Sequence, residues 1–250
     1  MPNAVYLSPH LDDAIYSCGG LIARQVSEGH SITVLTVFAG DPPPGPVSPF
    51  ARELHERWQG GAAAMDLRRQ EDLEACARLG AAALHMGLPE AVYRKASDGD
   101  PLYPTEQSIF GPSVGEDEIM VERLAEAIDQ VSPAGSQLYA PVGIGGHIDH
   151  GLTRRAAQQL DRPLWLYHDF PYAARGFDTP PDFPPKDGVS TMLPLDEPEI
   201  EDWVQAIWRY QSQQSTFWED LPALRKELKA YLSHHHGIPI VAPSRRRSAG

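Results

Sequence analysis

The sequence has few cysteines, no long apolar run and no excess of positive charge. Its two cysteines, Cys18 and Cys76, form no CxxC pair and no disulfide framework, so we expect buried free thiols in a reducing compartment. No apolar run reaches the ~18 residues of a membrane span. The first residues also lack the basic and then apolar pattern of a signal peptide. These absences predict a soluble cytoplasmic protein.

The charge balance is strongly acidic. The 250 residues include 21 Lys and Arg against 34 Asp and Glu, which gives a formal net charge of −13. This balance argues against non-specific binding to nucleic acid or to an anionic membrane surface. A neutral or cationic small molecule is easier to attract than a polyanion, unless a metal supplies local positive charge. The composition does not fix the oligomeric state and allows a homo-oligomer.

Strand-like and helical segments alternate along most of the chain. Apolar segments typical of buried strands occur at 4–8, 31–40, 81–88, 136–141 and 163–168. Helical periodicity occurs at 15–29, 67–80, 116–131, 147–160, 200–214 and 221–233. This order predicts an α/β fold, a Rossmann-like three-layer sandwich with a mainly parallel sheet and helices on both faces. We expect one domain over residues 1–243 and a disordered tail at 244–250.

The first strand ends in a short polar turn, SPHLDD, at residues 8–13. It holds His10, Asp12 and Asp13, and adjacent carboxylates usually need a cation or a proton-transfer task to offset their repulsion. The two carboxylates cannot easily both point at one ion. One can bind a metal while the other acts as general base on the metal-bound water. Taken alone, the turn could also be a plain helix cap.

A second polar turn, GIGGHIDH at residues 143–150, follows the strand at 136–141. His147 and His150 are three residues apart, so they share a face at the start of a helix, although this spacing alone also fits a solvated face. In open α/β sheets, ligands bind beyond the carboxyl ends of the strands, where both turns lie. Two imidazoles and a carboxylate suit a divalent first-row metal, Zn²⁺ in particular. Together the two turns predict metal-assisted amide hydrolysis.

The two turns together resemble the signature of the PIG-L/LmbE-like deacetylase family. That signature is an (A/S)HPDD-type turn after the first strand, a Gly pair a few residues on, and a HxDH-type motif near the middle. This sequence has SPHLDD, then Gly19 and Gly20, then HIDH, with Leu11 in place of the usual Pro. The segment RRQEDLEACARLG, which contains Arg68, resembles the family's R-x-x-E…LG helix. The resemblance covers residues 4–160.

The resemblance implies a zinc-dependent hydrolase that removes an acyl group, commonly acetyl, from a small-molecule amino-sugar conjugate such as one of N-acetylglucosamine. Another divalent first-row metal such as Fe²⁺ is an alternative to Zn²⁺. The implied roles are metal ligands (His10, Asp13, His150), general base (Asp12), assistance to the oxyanion or the leaving amine (His147), and orientation of an imidazole (Asp149). Arg68 would reach substrate hydroxyls or a phosphate, and a surface ion pair with Glu71 or Asp72 is its alternative.

Residues after the fifth predicted strand are further candidates for the pocket. His168, Asp169 and Tyr172 could line it, with His168 and Tyr172 as candidate substrate contacts, and a plain polar strand end is the alternative. Substrate choice is expected to depend on three irregular stretches rich in Pro and Gly, at 41–49, 93–115 and 175–188.

Other functions remain open from the sequence. His10, Asp12 and His150 match the bare 2-His-1-carboxylate composition of non-haem Fe(II) oxygenases, although those commonly use all-β jelly rolls. A non-catalytic sugar-binding homologue is a second alternative, although it would have no need of Asp12 as a base. A purely structural zinc site is disfavoured, because such sites are usually closed by Cys and His.

Overall fold

The computed structural model describes residues 3–58, 61–185 and 188–243, and the predicted tail at 244–250 lies outside them. Within the described residues, seven strands form one sheet: β1 (Asn3–Ser8), β2 (Ser31–Thr36), β3 (Ala82–His85), β4 (Gln137–Pro141), β5 (Leu164–Tyr167), β6 (Val189–Leu193) and β7 (Ile238–Ala242). Their order across the sheet is β3-β2-β1-β4-β5-β7-β6. The first five strands are parallel, and β7 runs antiparallel to both β5 and β6.

Helices cover both faces of this sheet. The described chain contains α1 (Asp13–Ser27), α2 (Pro49–Arg57), α3 (Ala64–Leu79), α4 (Gly115–Val131), α5 (Ile148–Gln159), α6 (Glu197–Ile207), α7 (Gln211–Gln214) and α8 (Leu221–His235). Apolar residues of α1, α6 and α8 build the core on one face, and those of α4 and α5 build the core on the other. This three-layer, mainly parallel arrangement confirms the predicted fold class.

Strand β1 shows why an uninterrupted apolar run forms a central strand. Ala4 and Tyr6 enter the core on the α1 side, whereas Val5 and Leu7 enter the core on the α5 side. Successive side chains of a strand point to opposite faces, so a strand covered on both faces needs apolar residues at every position. The sequence AVYL therefore places β1 in the middle of the sheet.

The strand order reverses between β1 and β4. The chain moves outward from β1 to β2 and β3 on one side, and β4 and β5 lie on the other. Loops that leave the carboxyl ends of two such strands diverge, and the crevice between them is the usual ligand position in open α/β sheets. The turns that follow β1 and β4 are therefore neighbours in space, although some 130 residues separate them along the chain.

Elements α2, β6 and β7 were not predicted from the sequence, and the helix predicted at 200–214 is divided into α6 and α7. Strand β7 contains Pro239, and a proline in an apolar run argues against a central strand because it cannot donate to the ladder. The pairing of β7 with β5 runs over Ile240 and Val241, so Pro239 lies beyond that ladder and opposite Met192 of β6.

The structure also bears on the cysteines and on membrane-spanning helices. Cys18 and Cys76 are buried and free, as expected. Among the described residues, no helix combines the length and the apolar character needed to cross a membrane.

Candidate active site

The turn between β1 and α1 places His10, Asp12 and Asp13 at the crevice between β1 and β4. Ser8 closes this turn, because its hydroxyl donates to the His10 carbonyl at 2.6 Å and accepts the backbone N–H of Ala14 at 3.0 Å. Asp13 Oδ2 accepts the backbone N–H of His10 at 2.8 Å and lies 3.1 Å from Nδ1 of the same residue. The turn therefore holds one imidazole and one carboxylate against each other.

The turn between β4 and α5 brings His147 and His150 to the same crevice. The three glycines of its GIGG segment have φ of 85°, 89° and 75°, a left-handed backbone conformation that favours glycine. His147 is the N-cap residue of α5, and its Nδ1 accepts the backbone N–H of Asp149 at 3.2 Å. His150, one turn into the helix, is almost fully buried.

Donor atoms of the two turns converge on one point. Asp13 Oδ2 lies 3.1 Å from His10 Nδ1 and 3.2 Å from His150 Nε2. Atoms that bind a tetrahedral cation at about 2.0–2.1 Å are themselves about 3.3 Å apart. The spacing therefore fits one divalent cation held by these three side chains. The centre of the His147 ring lies 4.7 Å from the centre of the His10 ring. One ring nitrogen from each of His10, His147 and His150 lies within 4.8 Å of the other two.

His10 and His150 each direct one ring nitrogen toward Asp13, and the other ring nitrogen of each contacts a second carboxylate. Asp149 Oδ2 lies 2.9 Å from His10 Nε2, and Asp169 Oδ1 lies 2.7 Å from His150 Nδ1. Asp169 Oδ2 also accepts two backbone N–H groups of the GIGG turn, at 2.8 and 2.9 Å. A carboxylate in this position holds the imidazole proton on its own side and turns the lone pair of the other nitrogen toward a metal.

The electrostatics separate the three imidazoles. Burial alone lowers the pKa of His10 and His150, but the acidic neighbours outweigh it and raise the pKa of His10 well above its usual value and that of His150 to about 10. The same negative potential favours a bound cation. Burial and the nearby His10 instead hold the pKa of His147 well below its usual value, so this imidazole is neutral.

Asp12 differs from its neighbour Asp13. Burial and the charge of Asp13 raise the pKa of Asp12 to about 7, whereas the two imidazoles outweigh burial at Asp13 and hold its pKa well below the usual value. A divalent cation held by Asp13 would lower the pKa of both carboxyl groups. Asp13 thus stays ionised beside the two imidazoles, whereas Asp12 is suited to proton transfer.

A cleft of about 150 Å³ opens in front of these groups. Part of its wall is aromatic, and the rings come from α2 and the residue that follows it, the 93–115 loop and the segments after β5 and α7: Phe50, Trp58, Phe110, Tyr172 and Phe217. The rest of the lining includes the charged residues Asp12, Asp13, Arg68 and Glu90. A cleft that combines apolar rings with convergent polar groups is typical of a small-molecule site. Of the three irregular stretches, 93–115 supplies residues to this cleft.

Arg68 lies in the cleft wall and is almost fully buried. It forms an ion pair with Glu90, and its guanidinium lies 4.3 Å from the centre of the Trp58 ring. The alternative of a surface ion pair with Glu71 or Asp72 is wrong, because those two carboxylates accept hydrogen bonds from the segment that follows α6. Arg68 remains a candidate for substrate contact.

The two residues predicted after β5 have different positions. Tyr172 lines the cleft, and its ring lies 6.4 Å from that of His150. His168 does not line the cleft. The centre of its ring lies 5.5 Å from that of the Phe183 ring and 6.3 Å from that of the His235 ring. The structure therefore does not bring His168 to the site. Its neighbour Asp169 points the other way, since consecutive side chains of an extended segment alternate in direction.

Sequence reasoning missed Glu90 and Arg94, which follow β3, and gave no metal-site role to Asp169, which follows β5. Asp169 lies two residues beyond the end of β5, whereas Glu90 and Arg94 lie five and nine residues beyond the end of β3. The strand-end rule therefore points to Asp169 but does not reach Glu90 or Arg94 in the irregular stretch after β3.

The geometry can now be compared with known proteins. A sequence profile of the PIG-L family, described as GlcNAc-PI de-N-acetylase, matches residues 5–160, which is more than half of the chain. The matched region contains both histidine turns.

Individual relatives agree with the profile. A 2'-N-acetylparomamine deacetylase of Niallia circulans is 30% identical over 184 residues, which cover 67% of this chain and 66% of the relative, slightly less than two thirds of its length. A crystal structure of a deacetylase–bog complex from the biosynthesis pathway of teicoplanin has a TM-score of 0.83 at 28% identity, covering 99% of this chain and all (100%) of that one. The zinc-inhibited form of teicoplanin deacetylase Orf2 has a TM-score of 0.82 at 27% identity, with coverage of 99% and 100%. This chain belongs to the PIG-L family.

Proposed function

We propose that this protein is a metal-dependent hydrolase that removes an N-acyl group, acetyl in the simplest case, from an amino-sugar conjugate. The observation that carries the proposal is the position of Asp13 Oδ2, 3.1 and 3.2 Å from one nitrogen each of His10 and His150, in a cleft shared with Asp12 and His147. The deacetylase relatives support the reaction class, and the zinc-inhibited form of one relative supports a divalent-metal site without identifying the working metal.

The donor set fits a catalytic metal better than a structural one. His10, Asp13 and His150 would hold the cation and leave its remaining positions open toward the cleft, whereas structural zinc sites are usually closed by four protein ligands. When bound, such a cation polarises the substrate carbonyl and lowers the pKa of the attacking water. Zn²⁺ suits two imidazoles and a carboxylate, and Fe²⁺ accepts the same donors.

Asp12 would act as general base and then as general acid. Its carboxylate lines the cleft beside Asp13, and burial next to that charge raises its pKa, which offsets the lowering that a bound cation would cause. It would take the proton of the attacking water on a carboxylate oxygen. It would then return that proton to the leaving amine as the C–N bond breaks.

His147 would stabilise the oxyanion. Its Nδ1 accepts the backbone N–H of Asp149, so the proton of the neutral imidazole lies on Nε2. Nε2–H is then a donor fixed in advance toward the cleft, as transition-state stabilisation requires. This geometry favours the oxyanion over the leaving amine, the two partners that the sequence left open for His147.

The aromatic cleft wall and Arg68 would bind the sugar. Arg68 lies against Trp58 and Glu90, so its guanidinium is held in place before substrate arrives. A pre-positioned guanidinium with several N–H donors can bind sugar hydroxyls without paying again for ordering its own side chain. Tyr172, on the other side near His150, would contact the acyl or sugar portion.

The test couples metal analysis to product detection. The protein is freed of metal with a chelator, reloaded with one equivalent of Zn²⁺ or Fe²⁺, and assayed for acetate release from a panel of N-acetylglucosamine conjugates and 2'-N-acetylparomamine. We expect release only from the loaded protein. A loaded protein that releases no acetate from any member of the panel would contradict the proposal. Binding without release would indicate the sugar-binding alternative, and Fe²⁺-dependent oxygen consumption would indicate the oxygenase.

A further inference from the structure

A buried chain of charged residues leads from α4 to the metal-site histidine. Arg94 Nη2 lies 3.0 Å from Asp117 Oδ2, and Arg94 Nη1 lies 2.6 Å from Asp149 Oδ1. Asp149 in turn contacts His10 Nε2 at 2.9 Å. The three residues Arg94, Asp117 and Asp149 are 5%, 1% and 0% exposed, so solvent screens none of these interactions.

The two carboxylate oxygens of Asp149 contact different partners. Oδ2 faces His10 and also accepts the backbone N–H of Ala91 at 2.9 Å. Oδ1 faces Arg94 in an ion pair that is not an aligned hydrogen bond. A fully buried carboxylate is costly unless a positive charge compensates it, and Arg94 supplies that charge. The orientation of the Asp149 carboxylate thus depends on Arg94.

We propose that Arg94 is a positioning residue of the metal centre, which fixes Asp149 and thereby determines that His10 presents Nδ1 to the cation. The inference deepens the proposed function and rests on it for its catalytic consequence. Arg94 itself does not line the cleft, so it touches neither substrate nor reacting atoms. It acts through Asp149, whose place on α5 ties the turn after β4 to His10 in the turn after β1.

A double-mutant cycle separates positioning from a merely structural role. The variants are Arg94→Met, Asp149→Asn and the double variant, and the readout is the Zn²⁺ Kd from competition with a chelator. We expect each single change to raise Kd by about 10–100-fold, the usual effect of losing a residue that orients a metal ligand. Because both act through one contact, the double variant should raise Kd by no more than about threefold beyond Asp149→Asn.

Two outcomes of the cycle itself would overturn the proposal. One is a wild-type Kd in Arg94→Met. The other is a double variant whose Kd change is the product of the two single changes, since independent sites add in free energy. Thermal unfolding of the metal-free variants is recorded alongside, because a structural ion pair would lower stability without this coupling in Kd. If Arg94→Met does not fold, the neutral but polar Arg94→Gln replaces it in the cycle and the same criterion decides.

Arg154→Met is the matched control. Arg154 is also a buried arginine, 7% exposed, on the same helix as His150, but its partner is Asp182 at 2.8 Å. We expect its Kd for Zn²⁺ to equal that of the wild type, and a rise like that of Arg94→Met would overturn the proposal. The Kd readout needs no turnover, so a wild-type protein that binds Zn²⁺ without releasing acetate would refute the proposed function and leave the positioning test intact.

Discussion

Asp169→Asn tests whether the carboxylate behind His150 sets the tautomer of that imidazole. Asp169 Oδ1 lies 2.7 Å from His150 Nδ1, and Oδ2 accepts two backbone N–H groups at 2.8 and 2.9 Å. An amide has a single acceptor oxygen, so it can serve the backbone groups or the imidazole but not both. If it serves the backbone groups, its NH₂ faces Nδ1. The proton of His150 then lies on Nε2, the nitrogen that would bind the cation.

The magnitude follows from the bonds involved. A hydrogen bond contributes about 0.5–1.5 kcal/mol net, so keeping two backbone bonds outweighs keeping one bond to the imidazole. We therefore expect the inverted tautomer of His150 and a loss of metal affinity of about 10–100-fold. At 1.36 kcal/mol per factor of ten, this is about 1.4–2.7 kcal/mol of binding free energy. The lost charge-assisted bond should also lower the free energy of unfolding by about 1.5–3 kcal/mol.

The assay is Zn²⁺ competition with a chelator, with urea unfolding of the metal-free protein in parallel. Asp182→Asn is the matched control, because it also removes a carboxylate charge but at a side chain that is 62% exposed and paired with Arg154. We expect the control to change the free energy of unfolding by less than about 0.5 kcal/mol and to leave Kd unchanged. Asp169→Asn with the Kd of the wild type would refute the reasoning about the tautomer.

Three further predictions concern the site and the core. Asp12→Asn should keep full metal stoichiometry while turnover falls by about 10²–10⁴-fold, because the general base is lost; metal analysis and acetate release measure this. His150→Ala should lower the metal content, because one ligand is removed. Gly19→Ala should lower the free energy of unfolding by about 1–3 kcal/mol in urea titration, because a Cβ at Gly19 would overlap the ring of Trp203.

Each of these has a contradicting result. Undiminished turnover in Asp12→Asn would remove that residue from the role of base. Unchanged metal stoichiometry in His150→Ala would mean that the ligand set is different. Helix propensity alone predicts that Gly19→Ala stabilises the protein by about 0.5–1 kcal/mol. That result would show that the ring of Trp203 on α6 moves away from α1 without a loss of packing energy.

The sheet and the two histidine turns could be predicted from the sequence because their signals are local. Apolar runs such as AVYL mark strands buried on both faces, and SPHLDD and HIDH place several ligand-type residues within one turn each. The turns meet because parallel strands share one carboxyl edge, so the convergence of Asp13 with His150 follows from strand order.

The supporting residues could not be predicted in the same way, because their signal lies in three dimensions. Arg94 occupies an irregular stretch without periodicity, and its partners Asp117 and Asp149 lie on different helices. His168 and Asp169 are adjacent and equally polar, and the alternation of the backbone alone decides that Asp169 faces the site. Strand β7 gives only a weak local signal, because Pro239 interrupts its short apolar run.

The most direct measurement is the anomalous-scattering map of a crystal of the protein loaded with one equivalent of Zn²⁺. The account predicts one zinc peak, at about 2.0–2.2 Å from His10 Nδ1, Asp13 Oδ2 and His150 Nε2. A peak bound by His147 in place of Asp13, or a zinc ion elsewhere on the chain with these three side chains unligated, would contradict it.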